Sequence, residues 1–177
     1  MKHDSTTSTQ VQAEAVLVPH AGWKYSGRLA AQTLKRVKIP HWAIIFAPQH
    51  RGGGAEWAVA PHQTWLLPGK NIEANLPLTE KMIQAVDFFA FDPVPHAQEH
   101  AVEILLPILA RLAPETKITA LAMSQSSWEM IRQGAAQFLR ESPSEGRSRH
   151  QLPVFGISGF YIAGKHKSRA MRPARRK

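Results

Sequence analysis

The chain has 177 residues, of which 44% are hydrophobic, which is enough for one domain with a sizeable core. It contains no cysteine, so disulfide bonds, thiolate metal sites and a cysteine nucleophile are excluded. The formal net charge is +9, but residues 145–177 hold nine Lys/Arg and one acid, so the rest of the chain is nearly neutral. A basic terminal run binds phosphates without specificity, and we predict no specific nucleic-acid partner.

No apolar run approaches the roughly 20 residues of a membrane span, and the polar start lacks the apolar region of a signal peptide. We therefore expect a cytoplasmic protein that makes no membrane contact. The composition predicts a disordered leader over residues 1–12, an α/β domain over 13–158 and a disordered basic tail over 159–177.

Predicted strands and helices alternate along the chain. Apolar runs predict strands over 15–18, 42–46, 117–123 and 152–157, with weaker ones over 56–60 and 64–67. Periodic runs predict helices over 27–37, from 79 to about 86, from 95 to about 112, and over 128–140. Ser26 is the expected N-cap of the first helix. This alternation predicts a three-layer α/β fold, a parallel or mixed sheet with helices on both faces.

Two histidines follow predicted strands in the same way. His20 comes just after the strand over 15–18 and His50 just after the strand over 42–46, each beyond a proline. Open α/β sheets hold their ligands at the carboxyl ends of their strands, so we expect both imidazoles at one edge of the sheet. A single loop histidine usually has no functional role. Two histidines in the same position after two strands favour a shared site.

A third candidate group, Glu99, His100 and Glu103, opens the predicted helix that runs to about residue 112. Residues three and four apart are neighbours on a helix, so these side chains share a face, and Pro107 should bend the helix. The opposite, buried face consists of Val102, Leu105, Leu106 and Leu109. Imidazoles bind Zn, Fe and Cu, a carboxylate completes a two-histidine Fe(II) face, and a further histidine can act as a base. The simplest alternative is that Glu99 and Glu103 are solvated.

A competing motif overlaps this group. Residues 96–100 spell H-x-x-E-H, in which His96 and His100 would bind zinc from one helix and Glu99 would be the base of a protease. Such a short pattern arises often by chance in a histidine-rich chain. It also needs a downstream acidic ligand, which Glu129 or Glu141 would have to supply. We rank this hypothesis second to a strand-end metal site.

Three stretches resemble the Memo-like family, also called AmmeMemoRadiSam system protein B, which is related in fold to LigB-type non-haem-iron extradiol dioxygenases. The stretches are Val18-Pro19-His20-Ala21-Gly22-Trp23-Lys24-Tyr25-Ser26-Gly27, Phe46-Ala47-Pro48-Gln49-His50-Arg51 and Glu99-His100-Ala101-Val102-Glu103-Ile104-Leu105-Leu106-Pro107. The first and third are specific in combination, whereas the second is degenerate. Order and spacing agree from about residue 15 to residue 157.

The resemblance implies a dioxygenase-like cleft in which His20 and His50 are metal ligands. It places His100, Glu103 and Tyr25 as catalytic residues, with Glu99 beside them. The implied cofactor is a divalent metal, Fe(II) ahead of Cu or Zn. The implied partners are an unidentified small molecule or peptide, and radical-SAM and AMMECR-type proteins. A non-catalytic module that binds a peptide or small ligand is the alternative, and a zinc protease is the third hypothesis.

The chain departs from the family pattern after the last predicted strand. Members of the family continue there with a Ser-Ser-Asp-x-x-His segment and a long portion with a site cysteine, whereas this chain continues into the basic tail without an acid or cysteine. We therefore expect a truncated or frameshifted sequence and a domain that is incomplete relative to the family. This expectation predicts weak metal binding and no ring cleavage of catechols.

Overall fold

The computed structural model describes residues 9–13, 15–124, 126–141 and 154–157. Its strands are β1 (Ala15–Val18), β2 (Trp42–Pro48), β3 (Trp57–Val59), β4 (Thr64–Leu67), β5 (Lys70–Glu73), β6 (Ala90–Phe91), β7 (Lys117–Met123) and β8 (Val154–Ile157). Its helices are α1 (Arg28–Lys35), α2 (Leu76–Ala85), α3 (His100–Glu103), α4 (Leu106–Leu112) and α5 (Trp128–Glu141). A π-helical turn, Trp23–Gly27, precedes α1, and a 3₁₀ turn, Val94–His96, precedes α3.

Six strands form one mixed sheet in the order β1-β8-β2-β7-β3-β6. The first four strands in this order are mutually parallel, β3 is antiparallel to β7, and β6 is parallel to β3. The carboxyl ends of β1 and β2 therefore lie at the same edge of the sheet, on either side of β8. This edge is where ligand sites of open parallel sheets form.

Helices cover both faces of this sheet, which confirms the predicted three-layer α/β architecture. Successive strand residues point to opposite faces, and β2 shows this with two neighbours that are both 0% exposed. Ile45 packs in a cluster with α1, α3, α4 and the β4–β5 hairpin. Ile44 packs in a second cluster with α2 and α5. A strand buried on both faces requires the continuous apolar run that the sequence has here.

Several element boundaries differ from the predictions. Ser26 is not an N-cap, because it lies inside the π-helical turn and its hydroxyl donates to the Ala21 carbonyl at 2.7 Å. Helix α2 begins three residues earlier than predicted, since the Asn75 side chain accepts from the Leu78 N–H at 3.3 Å and caps it. The strand β5 was not predicted. It pairs with β4 through a turn in which Gly69 adopts a φ of 77°.

The predicted helix over 95–112 is two short helices. Residues 104 and 105 separate α3 from α4, and Pro107 lies in the first turn of α4, where its missing N–H costs nothing. The predicted interruption near this proline is thus confirmed as a break. At the other end of the chain, Val11 pairs with Val37, although the sequence assigned it to the leader. The predicted tail and residues 1–8 lie outside the described part.

Among the described residues, no helix has both the length and the apolar character needed to cross a membrane.

Candidate metal centre

The loops after β1 and β2 carry the two strand-end histidines to the same edge of the sheet. His20 and His50 each follow the last residue of their strand by two positions. The loop after β2 is fixed by Gln49, whose N–H donates to the Met123 carbonyl at 2.7 Å and whose side-chain amide donates to the Ala55 carbonyl at 2.7 Å. Backbone and side-chain bonds together hold the residue next to His50 in place.

Three imidazoles meet at this edge. The Nε2 atoms of His20 and His50 are 3.3 Å apart. The ring centroids of His50 and His100 are 4.8 Å apart with nearly parallel planes, and those of His20 and His100 are 6.1 Å apart. We call His20, His50 and His100 the histidine cluster. The structure brings together the residues that the sequence predicted to converge.

A buried carboxylate, Glu99, lies behind this cluster. It is 4% exposed and caps α3, accepting the Ala101 N–H at 3.0 Å. It also accepts the backbone N–H of His50 at 2.7 Å and the Nδ1 of the same residue at 2.8 Å. A carboxylate only accepts, so the hydrogen of His50 sits on Nδ1 and the lone pair of a neutral ring sits on Nε2, which faces His20. The alternative that Glu99 is solvated is wrong.

The electrostatics of Glu99 suit this role. Burial alone would raise the pKa of its carboxyl, but the hydrogen bonds from the His50 backbone, the His50 ring and the Ala101 backbone lower it more. The net pKa of Glu99 therefore lies below the ordinary value of 4.5. Glu99 is thus an anion at neutral pH, and it also lies 3.3 Å from Nδ1 of His100. The sequence placed Glu99 in the third candidate group but did not predict that it would be the partner of His50, although its position as N-cap of a buried helix after a proline-rich turn was a usable signal.

Solvent can reach the histidine cluster. The side chains of His50 and His100 are 42% and 54% exposed. A cavity of about 300 Å³ adjoins the cluster and is lined by Trp23, His100, Glu103 and Ile104. The Trp23 indole N–H donates to the Ile104 carbonyl at 2.8 Å, which fixes one wall. Glu103 is exposed at this cavity, as the sequence predicted for a residue on the outer face of the helix.

Tyr25, the remaining predicted site residue, lies on the π-helical turn beyond His20. Its side chain is 83% exposed. A Cβ added at Gly22 would approach its ring at 3.6 Å, so the ring lies over that glycine. The structure therefore places Tyr25 at the surface near the loop of His20.

Two sets of side chains offer metal ligands in this region. The donor atoms of His50, Glu99 and His100 all lie within 4.8 Å of one another. The second set is His20 and His50, whose Nε2 atoms face each other, with Glu99 as support. We favour the second, because three N–H donors already occupy Glu99. A spacing of 3.3 Å between Nε2 atoms also fits two nitrogens bound at about 2.0–2.1 Å to one tetrahedral ion, which lie about 3.3 Å apart.

The protease motif does not keep the geometry it requires. His96 ends a 3₁₀ turn, and Glu99 has an extended backbone with φ −104° and ψ 123°, so His96 and His100 do not share a helix. The Nε2 of His96 donates to the Ala58 carbonyl at 3.0 Å, and the residue is 4% exposed. Glu99, the base in that hypothesis, is instead the partner of His50. The structure thus removes the basis of the zinc-protease hypothesis.

Comparison with known proteins agrees with the resemblance in the three motifs. Residues 1–151 match the family model described as Memo-like protein. Similar curated proteins include a MEMO1 family protein from Methanobrevibacter smithii, 32% identical over 148 residues, which are 82% of this chain and 52% of that protein. Another, from Aquifex aeolicus, is 32% identical over 124 residues, or 70% of this chain and 46% of that protein. The chain spans about half the length of the curated relatives it matches.

Proposed function

The chain belongs to the Memo-like family, and we propose that His20 and His50 of its histidine cluster bind one divalent metal ion in a dioxygenase-like cleft. One observation carries the proposal: the Nε2 atoms of His20 and His50 lie 3.3 Å apart while the other nitrogen of His50 donates to the buried Glu99. Metal-bound histidines in proteins usually donate their second N–H to a carboxylate or carbonyl in this way. The bond fixes both the ring and its tautomer.

Each residue has a distinct part in this proposal. His20 and His50 hold the ion through Nε2, and Glu99 orients His50 without binding the ion. A bound ion would supply Lewis acidity and, if it is iron, redox chemistry. The preference for Fe(II) over Cu or Zn rests on the family resemblance.

His100 and Glu103 line the adjacent cavity, so they are placed to exchange protons with a ligand there. His100 stacks on His50 at 4.8 Å, which puts the base next to the proposed ion. The carboxylate of Glu103 can accept a hydrogen bond from such a ligand. The substrate or ligand is a small molecule or peptide segment with a polar group that reaches the cluster.

The test is metal binding by single-histidine variants of the full chain. We expect His20→Ala and His50→Ala each to weaken binding of Fe(II) by at least about 100-fold, measured by anaerobic titration, because each removes a ligand. His41→Ala, which changes an exposed histidine away from the cluster, is the matched control and should bind as the wild type does. Zn(II) and Cu(II) titrations then rank the metals.

The same variants separate the two possible ligand sets. If His50, Glu99 and His100 hold the ion, His20→Ala will bind metal normally. Normal binding by both His20→Ala and His50→Ala would refute the proposal.

A further inference from the structure

A groove separate from the histidine cluster runs between α1 and α4. It encloses about 460 Å³, within the range of small-ligand sites. Its surface is mostly apolar and is formed by Trp23, Ala31, Pro107, Ile108 and Leu112. Trp23 and Leu112 are 56% and 37% exposed, and they adjoin other apolar side chains in this groove, so the apolar surface is contiguous. The two helices bury their other faces in the core, so this groove is their outer seam.

The aromatic wall of the groove is held rigidly. The Trp23 indole donates to the Ile104 carbonyl at 2.8 Å, so its ring cannot rotate without losing that bond. A Cβ added at Gly27 would lie only 3.3 Å from the Cβ of Trp23, which shows how closely the helix start approaches the indole. A fixed, half-exposed indole loses little conformational entropy when a ligand covers it. Such tryptophans often dominate binding energy.

Two cations border the apolar surface. Lys35, in the last turn of α1, and Arg111, in the last turn of α4, both line the groove and are exposed. Among the described residues, no acidic side chain lines the groove, and neither cation takes part in an ion pair.

We propose that this groove binds a small amphiphilic carboxylate, with its apolar chain on Trp23 and its carboxylate between Lys35 and Arg111. The apolar floor supplies most of the affinity, and the two cations select the anionic head over a neutral or cationic one. The groove shares only Trp23 with the cavity beside the histidine cluster. Binding here therefore does not depend on a metal.

The experiment compares three probes of equal chain length on the full chain after dialysis against a chelator. Octanoate, octanol and octylammonium carry the same apolar tail with a negative, neutral or positive head. Isothermal titration measures each dissociation constant. We expect octanoate to bind at least about fivefold more tightly than octanol, and octylammonium to bind most weakly.

Variants locate the site. Lys35→Gln and Arg111→Gln should each weaken octanoate about two- to fivefold, since each removes one exposed ionic partner, while octanol binding stays the same. Trp23→Leu should weaken both probes at least about tenfold. The matched control is Lys81→Gln on α2, which changes an exposed lysine on the opposite face of the sheet.

Circular dichroism shows whether each variant is folded, so that a loss of binding in a folded variant can be assigned to the groove. Equal affinity for the three heads would mean that the groove is merely apolar, and would overturn the proposal. A lack of saturable octanoate binding, or an equal loss in Lys81→Gln and Lys35→Gln, would overturn it as well.

Discussion

His50 and His96 are both anchored through one ring nitrogen, yet they stand in opposite environments. His50 donates from Nδ1 to a carboxylate at 2.8 Å, and its side chain is 42% exposed with Nε2 facing a second imidazole. His96 donates from Nε2 to a backbone carbonyl at 3.0 Å and is 4% exposed. An imidazole becomes a candidate ligand when its anchored nitrogen fixes the ring and its other nitrogen is accessible beside a second donor, as Nε2 of His50 is beside His20. Residue type and motif do not decide this.

The electrostatic consequence of that difference is visible at His96. Burial lowers the pKa of His96, and the hydrogen bond to the Ala58 carbonyl raises it only in part. His96 is therefore neutral near neutral pH and serves as a structural residue of the core. The comparison leads to three further predictions.

The largest effect is expected for Glu99→Gln, which replaces the anionic partner of His50. We expect metal affinity to fall about 10- to 100-fold, as it does when the outer support of a metal ligand is removed. The measurement is the same anaerobic Fe(II) titration, with Glu80→Gln on α2 as an exposed control. Unchanged affinity would show that the orientation of His50 does not depend on this carboxylate.

A smaller effect, on stability rather than on metal, is expected for His96→Gln. Glutamine keeps an N–H that can donate to the Ala58 carbonyl but does not titrate. In the wild type the unfolded chain takes up a proton at His96 as the pH falls below 6.5, whereas the folded state resists it because its pKa is lowered. The unfolding free energy therefore decreases as the pH decreases through this window. In the variant, the unfolding free energy should change less with pH.

Urea unfolding at about pH 8 and about pH 5.5 measures this slope, with His41→Gln as the control. Metal affinity of the His96→Gln variant should stay within about twofold of wild type, since His96 is outside the histidine cluster. A steep pH slope that survives the substitution would assign the effect to other histidines. A large loss of metal binding would revive a ligand role for His96.

The smallest effect is expected for Tyr25→Phe. Its side chain is 83% exposed, so loss of the hydroxyl should change unfolding free energy by less than about 0.5 kcal/mol and metal affinity by less than about twofold. Parallel urea unfolding and Fe(II) titration test both statements. A strong loss of metal binding would mean that the tyrosine folds over the cluster when a metal is present.

The sheet was predictable because its strands are unambiguous. The apolar run of β2 and the proline or polar boundaries around β1 and β7 gave those strands nearly at their observed limits. The strand β5 was missed because Lys70, Asn71 and Glu73 are polar and exposed, and only Ile72 is buried. The start of α2 was missed because Asn75 caps it through a side-chain hydrogen bond. From sequence alone, asparagine is equally typical of a turn.

The convergence of the histidines was predictable from the parallel strand ends, but the partners of each ring were not. A helix was expected from residue 95, which placed Glu99 on the face that also carries Glu103, away from the buried stripe. The extended backbone at Glu99 instead turns the side chain inward, toward the N–H groups of His50 and Ala101. The extended backbone of Glu99, with φ −104° and ψ 123°, thus separates His96 from the histidine cluster and turns the Glu99 carboxylate toward His50.

The strand order carries a consequence for how the chain acquires this site. In the sheet, the strand next to β1 is β8, which it pairs with in parallel from Ala15↔Val154 to Val18↔Ile157. The strand that precedes His20 can therefore join the sheet only after β8, the last described strand, has been synthesised. In contrast, β2 can pair with β7, which lies earlier in the chain. Closing such a long loop is slow, since local contacts form before distant ones. His50 and Glu99 both precede β8 in the chain, so we expect their hydrogen bond to form before His20 comes to lie opposite His50.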